Sequence, residues 1–385
     1  MSSMTPTVED GIRAARDERF VNALARCMDD SVALDTTIHP SDQMFLHSLA
    51  EHKDTGAALS QYFNIARQQY DAFAQVVAAL LPARTDLRIL DFACGFGRLL
   101  RFLPHRYPVA NLWACEIQQD ALQFVADSYG VNTVASTEHP RDLEIDARFD
   151  VIWVASLFSH LPDHLFRAWL GKLHSMLSED GILCFSVRPP DSLAADSSGS
   201  ADFTYSEESE LTPLDGGIYG TAFASQAYVD EVVRSTLSGH KAFRIARALA
   251  NEQDLYVVAW DANKSLAALE GFQHGPWGWL DVKQLDASGQ ISLQGWAGSM
   301  DGGTVALDVR VDGIPRHVRV GIEREDVACA FGDERLRTCG WLVDDKLTAG
   351  SSERVWVEIM AKSGRSATLI YAGEVERGSL CRSRE

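Results

Sequence analysis

Cationic excess is the first thing this sequence lacks. Against 54 acidic side chains stand 35 lysines and arginines, a formal net charge of -19. A general grip on nucleic acid needs a basic face, so no nucleic-acid partner is expected. Cysteine is sparse: seven in 385 residues, an odd and scattered set with no Cys-x-x-Cys pair. That usage fits a reducing compartment better than a disulfide framework. The one His-x-x-x-His pair, His160 and His164, brackets Pro162. The proline suggests a turn into a helix start, so the two rings need not share a helical face, and no metal site is expected. Apolar runs such as Val151 to Phe158 are far shorter than a bilayer requires, so no membrane span is expected. Met1 to Pro6 lacks the basic and apolar regions of a secretory leader, and the expectation is a cytoplasmic protein.

What is present is ordinary core-forming chemistry, 46% hydrophobic and 23% charged. The length predicts two domains, or one large domain with an appendage; it sets no oligomeric state. Phe20, Leu24 and Met28 recur at helical spacing behind a candidate cap at Thr7. A second helix carries Leu59, Tyr62, Phe63, Ala66, Tyr70, Phe73 and Leu80, and Pro82 stops it.

From Arg88 the pattern alternates between strands and helices. Strands are expected at Ile89-Leu90, Asn111–Glu116, Thr133–Ser136, Asp150–Val154 and Ile182–Val187. Helices are expected to begin at Arg98, to run over Asp120–Tyr129, and to run from Leu165 to Leu177 with Gly181 at the end. Such alternation predicts a parallel sheet with helices on both faces. Residues 191–217, rich in Ser, Asp, Gly and Glu, form either a lid or a disordered insertion. A helix over Gln226–Leu237 and two closely spaced strands, Ala242–Ile245 and Asp254–Trp260, follow. They fit an antiparallel closing hairpin. Beyond about Gly275 come short alternating strands, such as Val305/Leu307/Val309/Val311 and Val355/Val357/Ile359, with turns at Asp301-Gly302-Gly303 and Asp312-Gly313. These predict an all-β sandwich. The expected division is a helical segment at 1–55, an α/β domain at 56–262 and a β-sandwich at 276–375.

One stretch organises the α/β part: Ile89-Leu90-Asp91-Phe92-Ala93-Cys94-Gly95-Phe96-Gly97. A strand ending in an acid and turning through Gly-x-Gly brings bare backbone amides close to a ligand. Glu116 stands about twenty residues beyond the glycines at the end of the next strand, a separation also seen in dinucleotide folds. Leu100 stands where a Gly-x-Gly-x-x-Gly pattern needs its third glycine, which argues against a nicotinamide cofactor. The stretch resembles the first motif of class I S-adenosylmethionine-dependent methyltransferases, with Ala93 at the first glycine position. Phe149 to Pro162 resembles the fourth-strand motif of the same family.

The resemblance covers roughly Tyr62 to Trp260 and implies a Rossmann-like methyltransferase sheet with S-adenosyl-L-methionine as cofactor. It places Asp91, Phe92, Ala93, Cys94, Gly95 and Gly97 around the methionine part of the cofactor. Asp91 would orient its ammonium and Glu116, beside Ile117, its ribose hydroxyls. Ser156 and Leu157 would lie next to the sulfonium, and Tyr62 would come from a segment that often folds over the cofactor. No acid ends the third strand, Val134-Ala135-Ser136-Thr137, so adenine contacts fall to backbone groups or Thr137. His160 is the candidate general base, weighed against a structural role in the turn before Pro162.

The fourth strand is not followed by Asn/Asp-Pro-Pro-Tyr, by a paired-glutamate loop, or by the Asp/Asn cluster of metal-dependent enzymes. Together with the acidic composition, this points to a small-molecule or glycan acceptor, such as a sugar, a glycan precursor or another hydroxylated metabolite. Gly295-Trp296-Ala297 and Cys339-Gly340-Trp341 resemble an accessory module found beside bacterial glycan-modifying transferases. Ala93 and the absent third-strand acid keep a second reading open. In it, a catalytically degenerate fold of the same kind serves as a binding or scaffold protein, and its sandwich recognises glycan or protein.

Overall fold

The computed structural model describes residues 6–28, 34–82, 84–190, 202–208, 215–347, 353–364 and 366–382. The chain divides into two compact units, Met1–Asn64 with Gln273–Glu385, and Ile65–Phe272. This differs from the expected three consecutive segments. The N-terminal helices share an apolar core with C-terminal strands, and one-dimensional periodicity says nothing about which distant segment covers a helix face.

In the first unit, α1 (Val8–Ala15) starts at Thr7, whose side chain accepts from the Asp10 amide while the Asp10 carboxylate accepts from the Thr7 amide. These reciprocal bonds satisfy otherwise orphaned helix donors. α2 (Glu18–Ala25), α3 (Gln43–His52) and the start of α4 (Thr55–Leu80) follow. Phe20, Leu24, Phe45, Leu59, Tyr62 and Phe63 are buried together with Trp356, Met360 and Leu369. Gly56 lies against the opposing strand: a Cβ there would come within 2.8 Å of the Ala372 carbonyl oxygen. The chain crosses into the second unit within α4.

The second unit is built on β1 (Ile89–Phe92), β2 (Leu112–Glu116), β3 (Asn132–Ala135), β4 (Phe149–Val154) and β5 (Leu177–Val187). It adds β6 (Phe203–Ser206), β7 (Thr221–Ala224), β8 (Phe243–Leu249) and β9 (Gln253–Ala259). Seven strands pair in the order β3-β2-β1-β4-β5-β9-β8. The pairings among β1 to β5 are parallel, while β9 runs antiparallel to both β5 and β8. Helices α5 (Gln119–Tyr129), α6 (Asp163–Ser175) and α7 (Gln226–Thr236) complete it. Alternate residues feed two cores. Ile89, Leu112, Val151, Trp153 and Cys184 pack on one face, and Leu90, Phe92, Cys115, Ile152 and Phe185 on the other. Two-sided burial explains why these strands read as continuous apolar runs. The expected Rossmann-like sheet with its antiparallel closing hairpin is what forms.

Two local expectations are corrected, and a third falls mostly outside the described residues. The helix expected from Arg98 is a run of turns ending in a 3-10 turn at Leu103–His105. Pro104 cannot donate to the preceding turn and its ring crowds the carbonyl four residues back, so no α-helix propagates. α6 ends at Ser175, and Gly181 lies inside β5, where a Cβ would come within 2.8 Å of the Phe149 carbonyl oxygen. Of the lid or insertion expected at 191–217, residues 191–201 and 209–214 lie outside the described residues. Within the rest, Phe203–Ser206 pairs antiparallel with Thr221–Ala224.

After Gln273 the first unit resumes with β10 (Pro276–Leu285), β11 (Gln290–Ser299), β12 (Ala306–Val311), β13 (Ile314–Pro315) and β14 (Arg319–Ile322). A short helix α8 (Glu325–Phe331) precedes β15 (Gly340–Lys346), β16 (Arg354–Ser363), β17 (Ser366–Glu376) and β18 (Ser379–Arg382). They form two antiparallel sheets, β14-β15-β11-β10-β18 and β13-β12-β16-β17. Ile291, Leu293, Trp341 and Val343 from the first share a core with Val309, Val357, Ile359 and Val375 from the second. This is the expected β-sandwich.

Candidate functional site

The carboxyl ends of β1, β2 and β4 converge on the turn from Ala93 to Gly97. Asp91 pairs in register with Ala114 on one side and Trp153 on the other. Three residues of the turn have left-handed backbone: Ala93 at φ 56°, Gly95 at 53° and Gly97 at 75°. Ala93 therefore adopts the conformation that a glycine would supply freely, a strain of about 1–2 kcal/mol. Its amide donates to the Cys115 carbonyl at 2.8 Å, which holds it there. The two glycines differ in their surroundings. A Cβ on Gly97 would lie 2.7 Å from the Tyr129 ring and 2.9 Å from Val125, so this glycine allows close packing on α5. A Cβ on Gly95 would meet nothing within 4 Å, so its backbone faces open space.

Two carboxylates flank that space. Glu116 accepts from the Gly95 amide at 2.8 Å, from Ile117 at 2.8 Å and from Gln118 at 3.0 Å. It thereby ties the end of β2 to the glycine turn. Asp91 is 2% exposed, and its Oδ2 is buried without a hydrogen-bond partner among the described residues. Burial first, then repulsion from Glu116, raises the Asp91 carboxyl to about 8, with Arg98 opposing the rise. A buried acceptor left unmatched costs about 1–3 kcal/mol. It is the feature expected of a group waiting for a cationic donor. An unpartnered acid beside an open glycine turn fits the ammonium of S-adenosylmethionine.

At the end of β4, Ser156 has φ 64° and sits in a compact network. Its amide donates to the Ser186 hydroxyl at 2.8 Å, Ser186 donates to Gln253 Oε1 at 2.6 Å, and Gln253 Nε2 donates to the Ser156 hydroxyl at 2.9 Å. β4, β5 and β9 are thus laced together at this edge. Leu157 is half-buried and packs against the core beneath. The His160 ring is buried, donates from Nδ1 to the Gly220 carbonyl at 2.7 Å, and stacks on Tyr219 at 4.6 Å. The Gly220 amide returns a bond of 2.9 Å to the His160 carbonyl.

Residues 89–181 match a family model described as a methyltransferase domain. This part of the chain is similar to methyltransferase domains. The malonyl-[acyl-carrier protein] O-methyltransferase of Acetivibrio thermocellus is 26% identical over 139 residues, covering 34% of this chain and 48% of that protein. The protein of the same name from Herminiimonas arsenicoxydans is 32% identical over 143 residues, covering 35% and 53%. The chain therefore spans about half the length of the curated relatives it matches. Among solved structures, Streptomyces venezuelae DesVI aligns with 52% of this chain and 93% of its own, at 16% identity and a TM-score of 0.39.

Within this region, the structure gathers Asp91, Ala93, Gly95, Gly97 and Glu116 at one sheet edge. Phe92 enters only through its backbone, since its ring is buried against Trp169 at 5.0 Å. Cys94 and Cys115 are buried, and burial pushes both thiols up, Cys115 to about 12, so they remain protonated packing groups. Tyr62 belongs to the other unit, where it is buried and its hydroxyl donates to Asp42 at 2.6 Å. Gln253 was not singled out from the sequence. A lone glutamine opening a strand carries no signal until the fold brings it to Ser156.

Proposed function

We propose that the chain is an S-adenosylmethionine-dependent methyltransferase acting on the oxygen of a small hydroxylated acceptor: a sugar, a glycan precursor or a related metabolite. The observation that carries this reading is the unpartnered Asp91 carboxylate oxygen beside the open Gly95 turn. An ammonium group there supplies both the charge and the hydrogen bond that Asp91 lacks. Glu116 is the acceptor suited to the ribose hydroxyls, and the Gly95 and Gly97 backbone lets the ligand approach closely. Ser156 and Leu157 form the rim of β4. When bound, the cofactor supplies a methyl group already activated on a sulfonium.

The protein's own contribution is chiefly alignment, which can account for much of the rate of such a displacement. The Ser156–Ser186–Gln253 network holds the β4 edge in one arrangement. His160 acts as a positioning residue, since its Nδ1 and ring face secure the Tyr219-Gly220 approach to β7. An oxygen acceptor is supported by the names of the relatives, which denote O-methyl transfer. The test is mass spectrometry of metabolites and glycans incubated with S-adenosylmethionine, with and without the protein. The expected result is an acceptor heavier by one methyl group, absent with Asp91→Ala. Unchanged metabolites across all hydroxylated classes would contradict the proposal.

A further inference from the structure

The first unit contains a cavity of its own, away from every residue discussed above except those of α3, α4 and the sandwich that line it. A shallow cleft, with about 60 Å³ of space inside it, lies between the α3–α4 junction and β10 and β17. The cleft would hold an occupant against its wall, with one side in solvent. Its walls combine indole faces with short polar side chains: Trp277, Trp279, His52, Gln61, Asp54 and Lys283. Trp277 and Trp279 stand two apart on β10 and so share one face of that strand. Both are half-buried, and the His52 ring lies 4.9 Å from Trp279.

The charged groups in this wall are paired. Lys283 pairs with Asp54 and accompanies the Tyr371 hydroxyl at 2.8 Å. Burial works against the Lys283 ammonium, but Tyr371 and Asp54 outweigh it and keep it charged. Asp281, also on the wall, is paired at 2.5 Å with Arg324, which also bonds Asp326 at 2.7 Å. Burial lowers the His52 imidazole, so it stays neutral near pH 7. His52 Nε2 is 2.5 Å from Gln61 Oε1, which turns the ring into a donor on that side and leaves the Gln61 amide nitrogen without a partner among the described residues. The cavity thus offers flat apolar faces and hydrogen-bond donors and acceptors, with its charged groups already paired. A purely apolar occupant would leave the polar groups unmatched, which disfavours it. An anion would face Asp54 and Asp281, and a cation would compete with Lys283 and Arg324, which already pair with them.

We propose that this cavity binds an uncharged sugar ring, with its C–H face against the Trp277 and Trp279 indoles and its hydroxyls on Gln61, His52 and Asp54. The site stands apart from methyl transfer, and its test does not depend on that reading. The full chain is applied to an array of neutral oligosaccharides ending in glucose, galactose or mannose, with sialylated and sulfated glycans alongside. The best-retained neutral oligosaccharide is then titrated by calorimetry. At least one neutral class is expected to be retained. Trp279→Ala lowers its affinity tenfold or more and Gln61→Ala severalfold, both with an unchanged melting temperature, while Asp91→Ala has no effect. Should Trp279→Ala fail to fold, Trp277→Leu, which keeps apolar bulk but removes the stacking face, is expected to show the same loss. The proposal is overturned by no retention of any neutral glycan, by retention confined to anionic glycans, or by affinity that these substitutions leave intact.

Discussion

Replacing Asp91 by Asn is expected to stabilise the fold while removing its ability to bind S-adenosylmethionine. In the folded chain the Asp91 carboxyl sits at about 8, against an ordinary value of 3.8. An acid raised in this way keeps its proton in the folded state and loses it on unfolding. Its contribution to stability is therefore undiminished below pH 4, falls as pH rises through the window from 4 to 8, and is level above that. At pH 7 the loss is about 4 kcal/mol, and at pH 5 about 1.5 kcal/mol, at 1.36 kcal/mol per pH unit. A protonated carboxyl and a carboxamide are close isosteres with a buried donor each, so Asp91→Asn removes little besides this cost. For a unit of about 200 residues, 4 kcal/mol corresponds to a rise in melting temperature on the order of 10 °C. Calorimetric melting of both proteins at pH 5 and pH 8 measures it. The gain should be small at pH 5 and several-fold larger at pH 8. A gain independent of pH, or an Asn variant that melts lower at pH 8, would refute the reasoning.

The two glycines should separate stability from binding. Gly97→Ala combines φ 75° with a Cβ 2.7 Å from Tyr129 and is expected to cost about 3 kcal/mol in urea unfolding, mostly from overpacking. Gly95→Ala has open space and should cost only about 1 kcal/mol, yet weaken S-adenosylmethionine tenfold or more by placing a methyl group where the ligand approaches. His160→Asn keeps a donor toward the Gly220 carbonyl but no titratable ring. It should retain activity within about tenfold and leave the pH profile unchanged, whereas His160→Ala loses the anchor; a loss of a hundredfold or more with Asn, beyond the lower reach of general base catalysis, would instead make the ring the base.

The parts of this molecule legible in its sequence are those set by local chemistry. Apolar runs such as Val151–Val154 announce strands buried on both faces, Gly130 at φ 65° closes α5, and Gly95 and Gly97 announce a turn that side chains would obstruct. Ala93 shows the limit of motif reading. Its backbone reaches the glycine-like region because the bond to Cys115 and the strand register hold it there, information no single position carries. What was not legible is non-local. The periodicity of Phe20 and Leu24 identifies an apolar helix face but not Trp356 and Leu369, more than three hundred residues away, as its cover. Helical spacing likewise marks Tyr62 as apolar-face but does not name Asp42, the acceptor of its hydroxyl. Gln253 was silent for the same reason.

The central claim is that Asp91 and Glu116 hold the methyl donor. Calorimetric titration of the full chain with S-adenosylmethionine, in buffers of different ionisation enthalpy, tests it most directly. At pH 7 a carboxyl at about 8 is mostly protonated, and an incoming ammonium favours its ionised form. The account therefore predicts one binding site, release of close to one proton per ligand, and affinity rising about tenfold per pH unit between pH 6 and 7.5. Binding and proton release both vanish with Asp91→Ala, and binding weakens with Glu116→Ala. Absence of binding, or binding that releases no proton and survives both substitutions, would contradict it.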